Sequence, residues 1–169
     1  MFNNYAFIDG QNLFTSINKY NYQFSYEIFY NFLKNKLYVT KAFYFIGLTE
    51  NRNHYRYKKL RKIGFILSLK KPAYRFKNDK MEIKANVDTN LVAHSLIKIN
   101  QYDKAVIVAG DGDYYFLAKY LLRNDKLHKL LFPCKSDTSN LFKSGIFKNK
   151  IIYLSRVRDS CIKNNRQAL

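Results

Sequence analysis

The chain has 169 residues, 30 of them Lys or Arg and 12 Asp or Glu, giving a formal net charge of +18, and 47% are hydrophobic. That length suits one domain with its own core, and that hydrophobic fraction excludes a disordered chain. No apolar run is long enough to span a bilayer, and two cysteines, Cys134 and Cys161, are too few for a disulfide framework.

In chain order, Tyr5-Ala-Phe-Ile8 reads as a buried strand ended by Asp9-Gly10, followed by a helix from Asn12 to about Tyr20. Residues 26–37 place Ile28, Phe29, Phe32, Leu33 and Leu37 at helical spacing. Thr40 to Ile46 is β-branched and aromatic, a second strand. Residues 53–62 form a basic helix, Gly64 is its C-cap, and 65–69 are a third strand. Residues 70–84, broken by Pro72, read as a small hairpin or an ordered loop. A helix follows from Asp88 to Ile99, a strand over 104–109, a helix over 113–123 and a strand over 127–132. A short helix over 138–142 and a strand over 151–154 complete the pattern, leaving a polar, basic tail at 157–169. Strands alternating with helices predict an α/β fold, a mainly parallel sheet covered on both faces. The entry into a strand without a charged-then-apolar leader predicts a cytoplasmic protein with its cysteines reduced.

The acids are scarce, so their positions carry information. Asp9 directly follows an apolar strand, Asp111 follows another across one glycine, Asp113 comes two residues later, and Asp88 opens a helix. In doubly wound sheets such points meet at the carboxyl edge, where ligands bind. Carboxylates gathered there repel each other unless a proton or a cation intervenes. Mg²⁺ suits such a place, and can orient a water and neutralise a phosphate. Asp113 and Asp88 can also be read as helix N-caps, whereas Asp9 and Asp111 sit beside buried strands, where a carboxylate without a partner is costly.

The charge excess favours polyanions, nucleic acid first and an anionic membrane surface second. Arg52, Arg56, Lys58, Lys59, Arg61 and Lys62 crowd one helix, and Lys70, Lys71, Arg75, Lys77, Lys80 and Lys84 crowd the irregular stretch. Tyr55, Tyr57, Tyr74 and Phe76 lie among them and can stack on unpaired bases, although most aromatics in a folded chain serve its core.

Three motifs carry a resemblance. Phe7-Ile-Asp-Gly-Gln-Asn12, Asn86-Val-Asp88 with its following helix, and Val108-Ala-Gly-Asp-Gly-Asp-Tyr114 with Phe116-Leu117 resemble, in order and spacing, the motifs of NYN-domain proteins of the PIN-like nuclease superfamily. The similarity runs over residues 3–155. It implies a PIN-like three-layer α/β/α sandwich over 1–156 with a basic tail at 157–169. It also implies a metal-dependent endoribonuclease, in which a water activated by Mg²⁺ or Mn²⁺ hydrolyses RNA phosphodiesters. By motif position Asp9, Asp88, Asp111 and Asp113 would hold the metal and Asn12 would assist. Arg52, Arg56, Lys58, Lys59, Arg61, Lys62, Lys71, Arg75, Lys77 and Lys84 would contact RNA, single-stranded or structured. A homodimer is plausible for the family, and no membrane partner is expected. Where many relatives carry a further Asp, six residues after Asp88, this chain has His94, read as structural; Asp137 is a weaker candidate for a late acid. Two alternatives stand beside this reading. One is a haloacid-dehalogenase-like phosphatase, which needs an acid two residues after the first, where Gln11 stands. The other is a non-catalytic RNA-binding module.

Overall fold

The computed structural model of the protein describes residues 2–20, 24–48, 54–71, 73–77, 80–84, 87–143 and 145–156, with the backbone alone for 73–77 and 80–84. Arg52, Asn86, Cys161 and the tail at 157–169 lie outside the described residues.

The first strand, β1 (Asn4–Asp9), is buried along its whole length, which its apolar run requires. It leads directly into α1 (Gly10–Lys19). Then come α2 (Tyr26–Lys36), β2 (Val39–Gly47), α3 (His54–Ile63) and β3 (Ile66–Lys70). An antiparallel ribbon, β4 (Ala73–Lys77) with β5 (Lys80–Lys84), stands apart from the main sheet, so the irregular stretch is a hairpin. The second half runs α4 (Asp88–Ile97), β6 (Ala105–Val108), α5 (Tyr115–Arg123), β7 (Leu127–Phe132) and β8 (Ile151–Tyr153). Among the described residues, no helix is long and apolar enough to cross a membrane.

The six-stranded sheet has the order β3-β2-β1-β6-β7-β8, and every neighbouring pair is parallel. The chain first builds outward from β1 to one edge and then, from β6, to the other. The order therefore reverses between β1 and β6, and the crevice at their carboxyl ends is where such sheets bind ligands.

Alternation along β1 assigns the two faces. Tyr5 and Phe7 pack with Leu91 of α4 and Leu117, Ala118 and Leu121 of α5. Ala6 and Ile8 pack with Leu13 of α1, Phe29 and Leu33 of α2, and Leu60 of α3. Helices thus cover both faces, and the fold is the expected three-layer sandwich. Each fully buried Phe or Leu contributes about 1.5–3 kcal/mol.

Two helices differ from their sequence reading. Residues 113–123 open with a 3₁₀ turn, Gly112–Tyr114, because the Asp111 side chain accepts from the Asp113 N–H and tightens the turn before α5. The region read as a short helix is a pair of 3₁₀ turns, Asn140–Lys143 and Gly145–Phe147, pinned by the buried rings of Phe142 and Phe147. Gly64 is the expected C-cap: its φ is +123°, and the Phe65 N–H reaches back to the Leu60 carbonyl at 3.1 Å.

Gly10 joins β1 to α1 in a space closed by β2. A Cβ there would lie 2.2 Å from Tyr44 Cε1 and 2.6 Å from the Phe45 carbonyl oxygen. Tyr44 is fully buried, and its hydroxyl donates toward the Gly10 carbonyl at 3.4 Å, so the ring cannot swing aside. Gly10→Ala should lower the unfolding free energy by about 1–3 kcal/mol, the usual cost of overpacking. Urea denaturation reads this directly, and an unchanged midpoint would show that the α1–β2 packing is loose.

Candidate functional site

Asp9 is the last residue of β1 and points to the same side of the sheet as Phe7, toward α4. It is only 5% exposed. One carboxylate oxygen, Oδ1, accepts the backbone N–H groups of Gln11 (3.0 Å) and Asn12 (2.9 Å), capping α1. The other, Oδ2, accepts the hydroxyl of Tyr114 at 2.9 Å. That hydroxyl also lies 2.6 Å from Asp88 Oδ1, at the first turn of α4. Asp9 and Asp88 therefore face one phenol from two elements of the fold. A phenol has a single proton and can donate to only one of them at a time.

Burial pushes the Asp9 carboxyl above its ordinary range. The Asn12 amide and the Tyr114 hydroxyl work against that rise, the Asp88 charge adds to it, and the Gln11 amide opposes it more weakly. The Tyr114 phenol is pushed far up, by burial first and then by the two carboxylates, so it remains a neutral donor. Ion pairs among the described residues join Lys19 to Asp137, Lys59 to Glu27 and Lys104 to Asp125; none reaches Asp9.

The four motif aspartates divide into two pairs. Asp9 and Asp88 are linked through Tyr114. Asp111 and Asp113 are exposed, in the turn after β6, where Asp111 Oδ1 accepts the Asp113 N–H at 3.1 Å. The caps fall on other residues than the sequence reading weighed. Asp9 and Asp111 cap, whereas the cap position of α4 is Val87, with no side-chain cap bond. Asn12 ties the two halves of the crevice together: its Oδ1 accepts the Gly110 N–H at 3.0 Å. The Gly110 carbonyl accepts the Ser139 N–H at 3.0 Å, so the segment after β7 closes over the same turn.

The donor set is hard oxygen throughout. Among the described residues no group of three or more His, Cys, Asp or Glu side chains stands close enough to hold an ion unaided. Mg²⁺, however, is commonly held by one or two carboxylates, with waters and substrate phosphate completing its shell. Two carboxylates sharing one hydroxyl, one of them buried with no basic side chain on it among the described residues, fit such an ion.

Two further candidates serve the fold. The Asp137 carboxylate accepts from Lys19 Nζ (2.7 Å) and the Tyr20 hydroxyl (2.8 Å). Burial alone would raise it, but those bonds outweigh burial and hold it below the ordinary range. It latches the segment after β7 to the end of α1. His94 packs edge-on against Phe45 (5.4 Å between centroids) and Phe43 (6.2 Å), with its buried Nδ1 lacking a hydrogen-bond partner among the described residues. Burial, then the charge of Lys98, lower its pKa, so it is a packed neutral ring.

The basic residues also divide. Lys58, Arg61 and Lys62 stand exposed on α3, and Lys59 is exposed beside Glu27 at 3.4 Å. With Tyr55, itself 80% exposed, and Ile63, the three lysines and Glu27 line a groove of about 710 Å³. Arg56 is half-buried instead: its guanidinium lies 4.1 Å from the centre of the Phe14 ring and donates to the Tyr26 hydroxyl at 3.1 Å, holding α3 against α1 and α2. Tyr57 is buried and belongs to the core. Lys71 is exposed, and Lys70 reaches Thr89 at 3.3 Å, at the start of α4 next to Asp88. Arg75, Lys77, Lys80 and Lys84 lie on β4 and β5, whose backbone alone is described.

Tyr114 is the site residue that sequence reading did not single out. The available signal was its place directly after Gly-Asp-Gly-Asp, where an aromatic is expected for packing and a hydroxyl is not needed for it.

A doubly wound parallel sheet with an aspartate-lined crevice at its switch point defines an α/β class with an acidic site. Within it the chain belongs to the NYN domain family, which its residues 5–145 match. The family is nuclease-like. A solved protein of unknown function from Vibrio parahaemolyticus shares the fold, with a TM-score of 0.72, 18% identity and 96% of each chain covered. No curated protein matches the chain.

The burial of Asp9 has a pH signature. Its folded pKa lies above the ordinary value of 3.8, so the folded state holds this proton more tightly than the unfolded one. Its contribution to stability is therefore greatest at low pH and declines as pH rises through the window just above that value. Asp9→Asn keeps a capping oxygen and removes the titration. In EDTA, the wild-type unfolding free energy minus that of Asp9→Asn should fall as pH is raised from about 4. A difference that rises over the same range would show that the capping amides, and not burial, set the carboxyl.

Proposed function

We propose that the protein is a metal-dependent endoribonuclease whose centre is the Asp9–Asp88 pair. The observation that supports this most is a buried carboxylate at the switch point, with no basic partner among the described residues, facing a second carboxylate across one hydroxyl in a chain of net charge +18. Such a pair draws in a cation, while the molecule around it draws in a polyanion.

Asp9 and Asp88 would hold Mg²⁺ or Mn²⁺, with Asp111 and Asp113 adding negative charge at the mouth. The ion supplies Lewis acidity toward a water and toward the phosphodiester under attack. The chain's own residues do the rest. The α1 amides fix the Asp9 carboxylate, Asn12 fixes the Gly110 turn against α1, and Tyr114 stays protonated between the acids. Lys58, Arg61, Lys62 and Lys71 attract the RNA backbone, and Tyr55 offers an exposed ring to a base. Arg56, held against Phe14 and Tyr26, would act by placing α3 beside the path of the RNA.

Incubating the protein with labelled single-stranded RNA in Mg²⁺, in Mn²⁺ and in EDTA tests this. Cleavage should require the divalent ion, and Asp88→Asn should slow it by about 100-fold or more, since even residues supporting a metal ligand are commonly worth about 10–100-fold. Tight RNA binding without cleavage in any ion would identify a non-catalytic binding module. Release of phosphate from small esters would identify a phosphatase.

The electrostatic part has its own measurement. Each phosphate that a cation neutralises on a single strand adds about 0.7 to the slope of log Kobs against log salt. Replacing Lys58, Arg61 and Lys62 together by Gln should therefore flatten that slope by about 2. An unchanged slope would move the RNA path away from α3.

A further inference from the structure

We propose that Tyr114 is a positioning residue for the metal, and that its hydroxyl sets how Asp9 and Asp88 are presented to a single divalent ion. This rests on the reading above that the two aspartates hold the ion.

The argument is a count of lone pairs. Each carboxylate oxygen has two, and both on Asp9 Oδ1 are engaged by the amides of Gln11 and Asn12. Only Oδ2 can face a ligand, and the Tyr114 hydroxyl donates to it at 2.9 Å. While the phenol proton is given to Asp9, one direction of approach remains there; while it is given to Asp88 Oδ1, that carboxylate is the one restricted, so the phenol determines how the pair is presented. The same phenol oxygen lies 2.6 Å from Asp88 Oδ1, so it also sets the spacing of the two carboxylates.

The phenol is itself held firmly. Tyr114 is fully buried, and its ring packs in the core that α4 and α5 form on β1. Its backbone closes the turn that carries Asp111 and Asp113, with its N–H 3.4 Å from the Asp111 carbonyl. Tyr114 thus couples the exposed acidic turn to the Asp9–Asp88 pair: a shift of one moves the other. A phenylalanine would fill the same volume, so the hydroxyl is unnecessary for packing, and its removal isolates this role.

The test is Mn²⁺ binding to the full chain by titration calorimetry, for the wild type, Tyr114→Phe and Asp88→Asn. The wild type should bind Mn²⁺ and Asp88→Asn should not. Tyr114→Phe should bind it about 10–100-fold more weakly, the usual loss when a group supporting a metal ligand is removed. In RNA cleavage, the Mn²⁺ concentration giving half the maximal rate should rise by the same factor, while the rate at saturating Mn²⁺ returns to within a few-fold of wild type. A purely structural role would not separate those two parameters. Wild-type affinity in Tyr114→Phe overturns the inference while leaving the metal site in place; absence of Mn²⁺ binding by the wild type overturns both. If Tyr114→Phe does not fold, the wild type labelled with ¹³Cζ-tyrosine still decides the matter. A buried tyrosine resonance should move on saturation with Mg²⁺, and a spectrum without such movement overturns the proposal.

Discussion

The carboxylate of Asp9 is the constraint around which this molecule is arranged. It ends the central strand of a parallel sheet, almost shielded from water, where an uncompensated charge is expensive. Two amides of α1 and one phenol satisfy its oxygens. Those bonds fix where α1 starts and tie the turn after β6, through Tyr114, to the end of β1. The crevice is a consequence: the sheet order reverses between β1 and β6, and the charge sits at that reversal.

Around this buried acid the protein is strongly basic, and the contrast organises its surface. Not every cation serves the same end. Arg56 is committed to Phe14 and Tyr26, Lys19 to Asp137 and Lys104 to Asp125, each joining segments distant in sequence. Lys58, Arg61 and Lys62 remain exposed on α3. Exposed ion pairs add little to stability, so the useful distinction is geometric. A cation folded against an aromatic ring supports the fold, whereas one extended into solvent meets ligands.

Much of this was legible in the sequence because it depends on local periodicity. The buried strand before Asp9, the basic helix closed by Gly64 and the alternation of strands with helices all follow from spacing and caps, and they led to the observed sandwich. The misreadings have local causes too. The 3₁₀ start before α5 follows from a side chain two residues back bonding the Asp113 amide, which periodicity does not register. The paired 3₁₀ turns near the end are held by Phe142 and Phe147, whose rings pack on each other, on Phe132 of β7 and on Tyr115 of α5, contacts that local periodicity does not register. Arg56 and Lys58 lie on one helix with the same charge, and only packing separates them.

By itself, the sequence determined the layered α/β class, the placing of scarce acids at strand ends and helix starts within a basic chain, and the family motifs that contain them. Those features are written in composition and short-range spacing. Tertiary structure alone decided that Asp9 and Asp88 share the hydroxyl of Tyr114, and that Asp111 and Asp113 are exposed in the turn after β6. The reason is distance along the chain. Asp9, Asp88 and Tyr114 are brought together by the reversal of strand order, and no local pattern encodes which side chain of a buried turn will reach across to another element.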